Sequence, residues 1–386
     1  MNQDFKFVAW QPVLTDHQAF TFQELARQAG VAVIAYVAAM EDPTRRIQGW
    51  ADTRVSSVER RLVPKRGGWR YCYCHLLEHR EDIHIFCSAF QEPLMMGCLF
   101  MAVWLRVKFY LVSEPYSPVA QSYFSDRPGV ADRFKTIARP LIYKLYSIVL
   151  KRRIQGIFAI SVLALKQYGS SGIAPEKLFP FGYFVPAMNQ GRTTAPSASG
   201  QPELRLVFVG SLIVRKGLDL LIEAVRCAST TRLRISLDVF GPGDPDAYEF
   251  DDEYVRYCGQ IPFGKTQEVV ASYDLLVLPS RYDGWGVVVN EALCAGVPVV
   301  CSDKVGAGVI VDKFGAGAKF ASGDSHALAD LLSMLACDPR QLQVMREATA
   351  KAAAAIQPAI AAAYMLKVIN APRSEKASIP SPWYPD

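Results

Sequence analysis

The second half of the chain alternates short apolar runs with segments of helical period. The runs are rich in Val, Ile and Leu, and Gly turns separate them from the amphipathic segments. Continuous apolar runs predict strands buried on both faces, and this alternation is typical of βαβ units on a parallel sheet. The segments are LRLVFVG, LDLLIEAVRCA, LRISLDVFG, QEVVASY, DLLVLP, VVVNEALCAG and VPVVCS.

The first half shows the same alternation with more polar interruptions. We expect strands at 6–10, 31–38, 82–87, 108–113 and 156–161, and helices near 20–29, 94–105 and 133–152. The fold class predicted is α/β, with two doubly wound parallel-sheet domains and a ligand at the carboxyl ends of the strands. The boundaries predicted are a first domain at 1–186, a linker at 187–203, a second domain at 204–370 and a Pro/Ser-rich tail at 371–386.

Composition excludes several classes of protein. At 386 residues, with 51% hydrophobic and 20% charged residues, the chain is too apolar for a disordered protein and too long for one small core. The nine cysteines are scattered and lack paired zinc spacing, so we expect free thiols and a cytoplasmic setting. The N-terminus has no basic segment leading into an apolar run, and we therefore expect no signal peptide.

Charge divides the chain into two unlike halves. Residues 1–200 carry 24 Lys and Arg against 15 Asp and Glu, whereas residues 201–386 carry 18 against 22. The segment 133–153 holds seven cations and no acid, with Ile137, Leu141, Leu145 and Ile148 at helical spacing. This pattern fits a helix on an anionic membrane surface, or a helix packed on the core with a solvated basic face. Nucleic-acid-binding motifs are absent, so we expect no nucleic-acid partner.

Two turns carry candidate chemistry. In VGSLIVRKG (209–217), a strand meets a helix at adjacent Arg215 and Lys216, which suits phosphate binding but is also common at solvated helix starts. In LPSRYDGWGVVVNEALCAGVPVV (278–300), two glycines flank Trp285 just before a helix that carries Glu291. Asp283 and Glu291 can hold sugar hydroxyls and a ribose diol, or serve as a turn former and a surface acid.

These motifs, in this order, resemble the retaining glycosyltransferases of family 4 (group 1), which have the GT-B arrangement of two Rossmann-like domains. The resemblance covers 203–335 and rests on three features. They are Gly210-x5-Lys216-Gly217-x-Asp219, the acid-x7-Glu pair Asp283 and Glu291, and Ala295-Gly296-Val297-Pro298. The resemblance implies transfer of a sugar from a UDP- or GDP-linked donor to a glycan or lipid-linked acceptor. Surface polysaccharide assembly is the setting it implies.

The resemblance also implies roles for individual residues. Arg215 and Lys216 would contact the donor diphosphate, Glu291 would bind the ribose, and the loop Gly259-Gln260-Ile261 would meet the base. The remaining donor contacts implied are Gly210, Ser211, Asp283, Gly284, Trp285, Gly286 and Val287. Two residues depart from the family pattern: Ser211 stands where Arg is usual, and Asp283 stands where Glu is usual.

The first domain offers looser candidates for catalysis. Its first loop, QPVLTDHQAF, contains no glycine, and either His17 or Asp16 can reach the crevice from it. Glu114 follows a strand and is the third candidate. Each also has an ordinary role, as a helix cap or as a solvated loop residue.

Metal-dependent and non-catalytic alternatives remain. Asp244-Pro245-Asp246 has the Asp-x-Asp form of a Mn²⁺ site but lies in a polar loop, and we expect neither a metal ion nor a cofactor. Cys72-Tyr73-Cys74-His75 is too tightly spaced for a tetrahedral site, and we interpret it as strand. A nucleotide-sugar-binding protein without turnover is the alternative to an enzyme. We expect the enzyme in the cytoplasm, peripheral to the inner face of the membrane.

Overall fold

The computed structural model describes residues 6–41, 55, 57–87, 92–116, 130–188, 203–229, 234–251 and 254–385. Each half of the chain forms one fully parallel sheet with helices on its faces, which confirms the predicted fold class. Most of the predicted linker, 189–202, lies outside the described residues.

The first sheet has seven strands in the order β3-β2-β1-β4-β5-β6-β7. They are β1 (Phe7–Gln11), β2 (Val33–Val37), β3 (Val58–Leu62), β4 (Ile83–Cys87), β5 (Phe109–Ser113), β6 (Gly156–Ile160) and β7 (Leu178–Phe181). Its helices are α1 (Asp16–Ala29), α2 (Gly68–Glu78), α3 (Pro93–Leu105), α4 (Val130–Leu150) and α5 (Ser161–Ser170). Strands β1, β2, β5 and β6 are buried along their whole length, which explains their uninterrupted apolar sequence.

The second sheet has six strands in the order β10-β9-β8-β11-β12-β13. They are β8 (Glu203–Val209), β9 (Arg234–Phe240), β10 (Val255–Tyr257), β11 (Leu275–Leu278), β12 (Val299–Ser302) and β13 (Gly317–Phe320). The helices are α6 (Leu218–Ala228), α7 (Thr266–Val270), α8 (Val287–Cys294), α9 (Gly308–Phe314), α10 (Ser325–Cys337), α11 (Pro339–Ala355) and α12 (Pro358–Asn370). The first strand, β8, is central, so its loop opens at the middle of the sheet, where strand order reverses.

Several elements of the first domain differ from the sequence prediction. The segment Cys72–His75 lies inside α2, so its interpretation as strand was wrong. Strands β3 and β7 were missed because both are edge strands: β3 is VERRL, only partly buried, and β7 is LFPF, with a proline that only an edge tolerates. Helix α4 runs through Pro140 without a break in its assignment.

The C-terminal segment returns to the first domain. Helix α12 packs against α1, and the tail after it places Trp383 in the core, fully buried. The Trp383 indole lies 4.3 Å from the Phe184 ring and 5.6 Å from the Phe181 ring, and its Nε1 donates to the Ala355 carbonyl at 2.7 Å. Residues far apart in sequence therefore share one core between the domains.

The helices are short or polar compared with a membrane-spanning segment. Within the described ranges, no single helix qualifies, and only the pair α11 and α12, bent by 51° at their junction, passes together on length and composition.

Replacing Trp383 with Ala tests the tail as a structural element. We expect the free energy of unfolding to fall by about 3–5 kcal/mol, because a fully buried indole and its hydrogen bond are lost. Urea unfolding measures this, with Trp104→Ala as control, since Trp104 is 71% exposed. Equal effects of both substitutions would contradict the assignment of the tail to the core.

Candidate active site

The loop after β8 holds two cations against the loop after β11. A single 3₁₀ turn, Val214–Lys216, is followed by Gly217 in the left-handed region at φ 71°. A Cβ atom on Gly217 would lie 2.2 Å from the Pro279 carbonyl oxygen, so only glycine permits this approach. The approach brings Arg215 and Lys216 beside the turn that begins at Tyr282.

An ion pair joins the two loops. Lys216 Nζ lies 2.6 Å from Asp283 Oδ2, and the side chains are only 16% and 8% exposed. Arg215, which is also buried, donates from Nη1 to the Tyr282 carbonyl at 2.7 Å. The two predicted diphosphate ligands therefore brace the turn that carries the predicted sugar ligand.

The environment keeps Asp283 ionised. Burial alone would raise the pKa of this carboxyl, but the positive charges of Lys216 and Arg215 outweigh it. Hydrogen bonds from Lys216 and from the backbone N–H of Trp285 act in the same direction, and the pKa is lowered overall. Asp283 is thus a charged acceptor at the mouth of the second sheet.

The turn 283–287 leads into the amino-terminal end of α8. The backbone of Asp283 is fixed by a bond from its N–H to the Lys304 carbonyl and one from the Gly306 N–H to its own carbonyl, both 3.0 Å. Gly286 precedes α8 at φ 89°, and a Cβ there would lie 3.0 Å from Leu278. No side chain in the described part of the chain caps α8, so its first amides can bind an anion.

The Trp285 side chain points away from this anion site. The indole is 2% exposed, and its Nε1 donates to the Tyr183 carbonyl at 3.1 Å and to Asn290 Oδ1 at 2.9 Å. Its ring occupies the space over Gly182, where any Cβ would come within 2.3 Å. Of the predicted donor contacts, Trp285 can therefore act through its backbone only, while its ring joins the two domains.

The first domain presents Glu114 to the same turn. Glu114 follows β5, and a Cβ built on Gly284 would lie 3.2 Å from Glu114 Oε2. Close by, the Tyr282 hydroxyl donates to the Tyr116 carbonyl at 3.1 Å. The structure thus brings Glu114 together with the residues next to Asp283 across the interdomain crevice.

Glu291 lies near enough to Asp16 of the first domain for the two charges to interact. Burial raises the pKa of Glu291 to about 7, a hydrogen bond with Thr266 lowers it, and the charge of Asp16 raises it further. His17, in contrast, is buried, with its ring 3.9 Å from that of Tyr183 and its Nε2 2.8 Å from Thr15 Oγ1. A catalytic role for His17 stays a prediction, and so does one for Asp16, whose charge acts on Glu291 of the second domain.

The predicted base-binding loop lies beside the first loop of the second sheet. The Gly259 carbonyl accepts from the Gly241 N–H at 2.9 Å, and Gly241 approaches Gly210 so closely that a Cβ would lie 1.9 Å from the Gly210 carbonyl oxygen. Gln260 is exposed, and Ile261 and Ser211 are half-buried. These positions form one continuous rim, and their contact with a base remains a prediction.

Ser161 was missed by sequence reasoning. It is fully buried at the end of β6 and has a left-handed backbone at φ 79°, which is strained for a residue with a side chain. Its Cβ approaches Gly306 so closely that a Cβ on that glycine would lie 2.7 Å away. A serine after an apolar strand carries no signal of this strain in the sequence.

The acidic loop after β9 has an ordinary structural role. Asp244 Oδ1 accepts from the Asp246 N–H at 3.1 Å and caps a short 3₁₀ turn. Within the described ranges, neither acid belongs to a cluster of three side chains able to hold a metal ion. The neighbouring Asp252 and Glu253 lie outside the described residues.

Comparison with known proteins gives the family. The family model for group 1 glycosyl transferases matches residues 203–338. The phosphatidyl-myo-inositol mannosyltransferase of Mycobacterium leprae is 27% identical over 261 residues, 61% of this chain and 68% of that protein. The match confirms the predicted resemblance to the group 1 glycosyltransferases over the second domain. Further relatives of this glycosyltransferase are matched over 26–38% of their own length.

Solved structures show that the fold of this glycosyltransferase is GT-B. HepE from Anabaena, solved with UDP and glucose, superposes with a TM-score of 0.67 at 14% identity over 95% of this chain and 99% of that chain. WaaG, a glycosyltransferase of lipopolysaccharide biosynthesis, gives a TM-score of 0.62 at 16% identity over 95% and 100%. The GT-B arrangement that the sequence resemblance implied is confirmed.

The raised pKa of Glu291 predicts a pH dependence of stability. Between its ordinary value of 4.5 and about 7, the folded chain binds more protons than the unfolded chain, so this carboxyl lowers stability as pH rises through that window. Glu291→Gln should remove the effect and gain stability relative to wild type near neutral pH.

Urea midpoints at about pH 5 and about pH 8 measure this difference. The matched control is Glu223→Gln, an exposed acid on α6. A stability difference between Glu291→Gln and wild type that is the same at both pH values would contradict the assigned environment.

Proposed function

We propose that this protein is a retaining hexosyltransferase that uses a UDP- or GDP-linked sugar. The acceptor is a glycan or a lipid-linked oligosaccharide in surface polysaccharide assembly. The observation that carries this proposal is the Lys216–Asp283 ion pair, which lies before the uncapped start of α8. A diphosphate and a sugar are the ligands that this combination of cation, amides and ionised carboxylate fits best.

The chemistry follows from where charge develops. When the bond from the sugar to the diphosphate breaks, the leaving diphosphate gains negative charge. Lys216 and the free amides of α8 are placed to stabilise that charge, and they act without a metal ion. A bound diphosphate competes with Asp283 for Lys216 Nζ, and this competition frees the carboxylate to accept hydrogen bonds from sugar hydroxyls.

The other residues complete the donor site. Glu291, half-buried beside Thr266, is proposed to hold the ribose diol, and the rim at 259–261 is proposed to hold the base. Glu114 reaches the turn from the first domain and is proposed to act at the acceptor side. The structure of HepE with UDP-glucose supports a nucleotide-sugar donor. The similarity to WaaG, which acts in lipopolysaccharide biosynthesis, and to the phosphatidyl-myo-inositol mannosyltransferase supports a glycan or lipid acceptor.

A double variant separates catalysis from stability. Lys216→Met should lower turnover by ~10²–10³, because preorganised charge is lost at the leaving group. It should also destabilise the fold by about 3 kcal/mol, because Asp283 is left buried without its partner. Adding Asp283→Asn should restore most of the stability while turnover stays low.

Transfer from labelled UDP- and GDP-sugars measures turnover, with Lys265→Ala as the control at an exposed lysine. Near wild-type turnover in Lys216→Met would refute the site. Binding of nucleotide sugars by the wild-type protein, without transfer or hydrolysis of any donor, would instead favour a nucleotide-sugar-binding protein.

We further propose that the first domain rests on an anionic membrane surface on the cytoplasmic face. On α4, the apolar residues Leu141, Leu145 and Ile148 are 62%, 54% and 52% exposed, so the apolar stripe faces solvent. Side chains of α4 before residue 138, including Ile137, lie outside the described residues. The three cations at 151–153 follow directly and are exposed, which suits a helix lying on anionic lipid.

Liposome flotation tests the membrane contact. Replacing Lys151, Arg152 and Arg153 with Ser should weaken binding to anionic vesicles by ~10²-fold, since each cation near the surface contributes about 1 kcal/mol. Leu145→Asn with Ile148→Asn should weaken it as well, whereas Val344→Asn, at an exposed position of α11, should not. Unchanged flotation of the first two variants would contradict the contact.

A further inference from the structure

A second cluster of ligating side chains lies in the first domain, away from the crevice. His75 and Glu78 occupy the last turn of α2, and His79 follows the helix directly. The spacing of three and four residues places them on one face of the helix. Their donor atoms all lie within 4.8 Å of one another. The cluster precedes the amino end of β4, whereas the donor site lies at the carboxyl ends of the strands.

The distances within the cluster suit one shared ion. His75 Nδ1 lies 2.7 Å from Glu78 Oε2, and His79 Nε2 lies 4.0 Å from Glu78 Oε1. Ligands in a tetrahedral zinc site lie about 3.4 Å apart, a value that these distances bracket. Glu78 is 58% exposed, so its side chain can adjust while the two imidazoles stay in place.

Hydrogen bonds orient His79 as a ligand. Its Nδ1 lies 2.7 Å from Asp82 Oδ2, which fixes the proton on Nδ1 and leaves the lone pair on Nε2. Nε2 lies 3.4 Å from the Tyr36 hydroxyl and 4.0 Å from Glu78 Oε1, so a bound ion would replace the contact with Tyr36. Asp82 is itself held, because its Oδ1 accepts from the Lys6 N–H at 2.7 Å. A carboxylate behind a histidine is the usual support of a metal-bound imidazole.

The backbone of His79 is fixed by a second set of bonds. Buried His84 donates from Nε2 to the His79 carbonyl at 2.8 Å, and its Nδ1 accepts from Trp10 Nε1 at 2.9 Å. The indole can only donate, so the tautomer of His84 is determined. His79 is therefore preorganised at both its ring and its carbonyl.

Aromatic rings and charges complete the surroundings. The His75 ring lies 4.3 Å from the Tyr71 ring and 4.9 Å from the Tyr36 ring, which limits its rotation. Arg61 donates to the Tyr36 hydroxyl at 3.2 Å, and Glu59 pairs with Arg61 at 2.8 Å. Glu59 thus balances the Arg61 charge, whereas Glu78 and Asp82 would balance the charge of a bound cation.

We propose that His75, Glu78 and His79 bind a divalent transition-metal ion of the zinc type, with the fourth position open to solvent. Two imidazoles and one carboxylate are a ligand set that zinc accepts. The ion would hold the last turn of α2 and His79 together, and the His79–Asp82 contact would link it to the segment entering β4. This site is separate from sugar transfer and does not rest on the proposed function.

Zinc titration of the chelator-treated full-length protein tests the proposal. Equilibrium dialysis should give one Zn²⁺ per chain at the tight site, and the melting temperature should rise with Zn²⁺. His75→Ala and Glu78→Gln should each weaken binding by ~10²-fold or more, and Asp82→Asn should weaken it by ~10–100-fold. Glu78 is 58% exposed, so Glu78→Gln should fold as wild type when metal is absent, and it separates loss of a ligand from loss of the ring contacts of His75.

Two controls distinguish this site from adventitious binding. His326→Ala removes an exposed histidine of the second domain, and Cys74→Ser removes an exposed thiol next to His75. Both should bind Zn²⁺ as wild type, and Co²⁺ in the site should show no thiolate charge-transfer band. Failure of wild type to take up more Zn²⁺ than His75→Ala, or loss of the tight site in Cys74→Ser, would overturn the proposal.

Discussion

The contact between Lys216 Nζ and Asp283 Oδ2 ties together the loops that follow the two central strands of the second sheet. Each side chain is largely removed from water, and the charge of Lys216 helps to keep the pKa of the Asp283 carboxyl low. The surrounding backbone serves this contact: Gly217 allows the first loop to reach Pro279, and Gly286 allows the helix behind Asp283 to start where it does. In the proposed site, a donor phosphate would replace Asp283 as the partner of Lys216. Because the fold already holds the Lys216 ammonium in position, little reorganisation is needed when the phosphate binds.

The position of the first domain depends on packing. The Trp285 indole fills the space over Gly182, and the tail returns with Trp383 to pack on Phe181 and Phe184. These large buried rings fix the distance at which Glu114 meets Gly284. Buried aromatic side chains therefore set the spacing of the two domains, and the polar groups on either side of the crevice meet as a consequence.

Much of the second domain was predictable because its strands are buried on both faces and its glycine turns are sharp. The motifs around Lys216 and Asp283 gave the family, which the comparisons confirm. The periodicity of apolar residues predicts strands and helices but not which side chains meet between loops. The Lys216–Asp283 ion pair and the burial of the Trp285 indole therefore could not be predicted from the sequence. In the first domain, the edge strands β3 and β7 lack the apolar signal. The segment Cys72–His75 of α2 was interpreted as strand, because Tyr is enriched in strands and the segment alone does not show the helical period. The strain at Ser161 comes from its place after β6, which no local pattern encodes.

A crystal structure of the chain with a nucleoside diphosphate tests the central claim most directly. The account predicts the terminal phosphate at hydrogen-bond distance from Lys216 Nζ and from the first amides of α8, with Asp283 released from Lys216. A nucleotide bound elsewhere, or one bound here while the Lys216–Asp283 pair stays closed and the phosphate lies away from both groups, would contradict it.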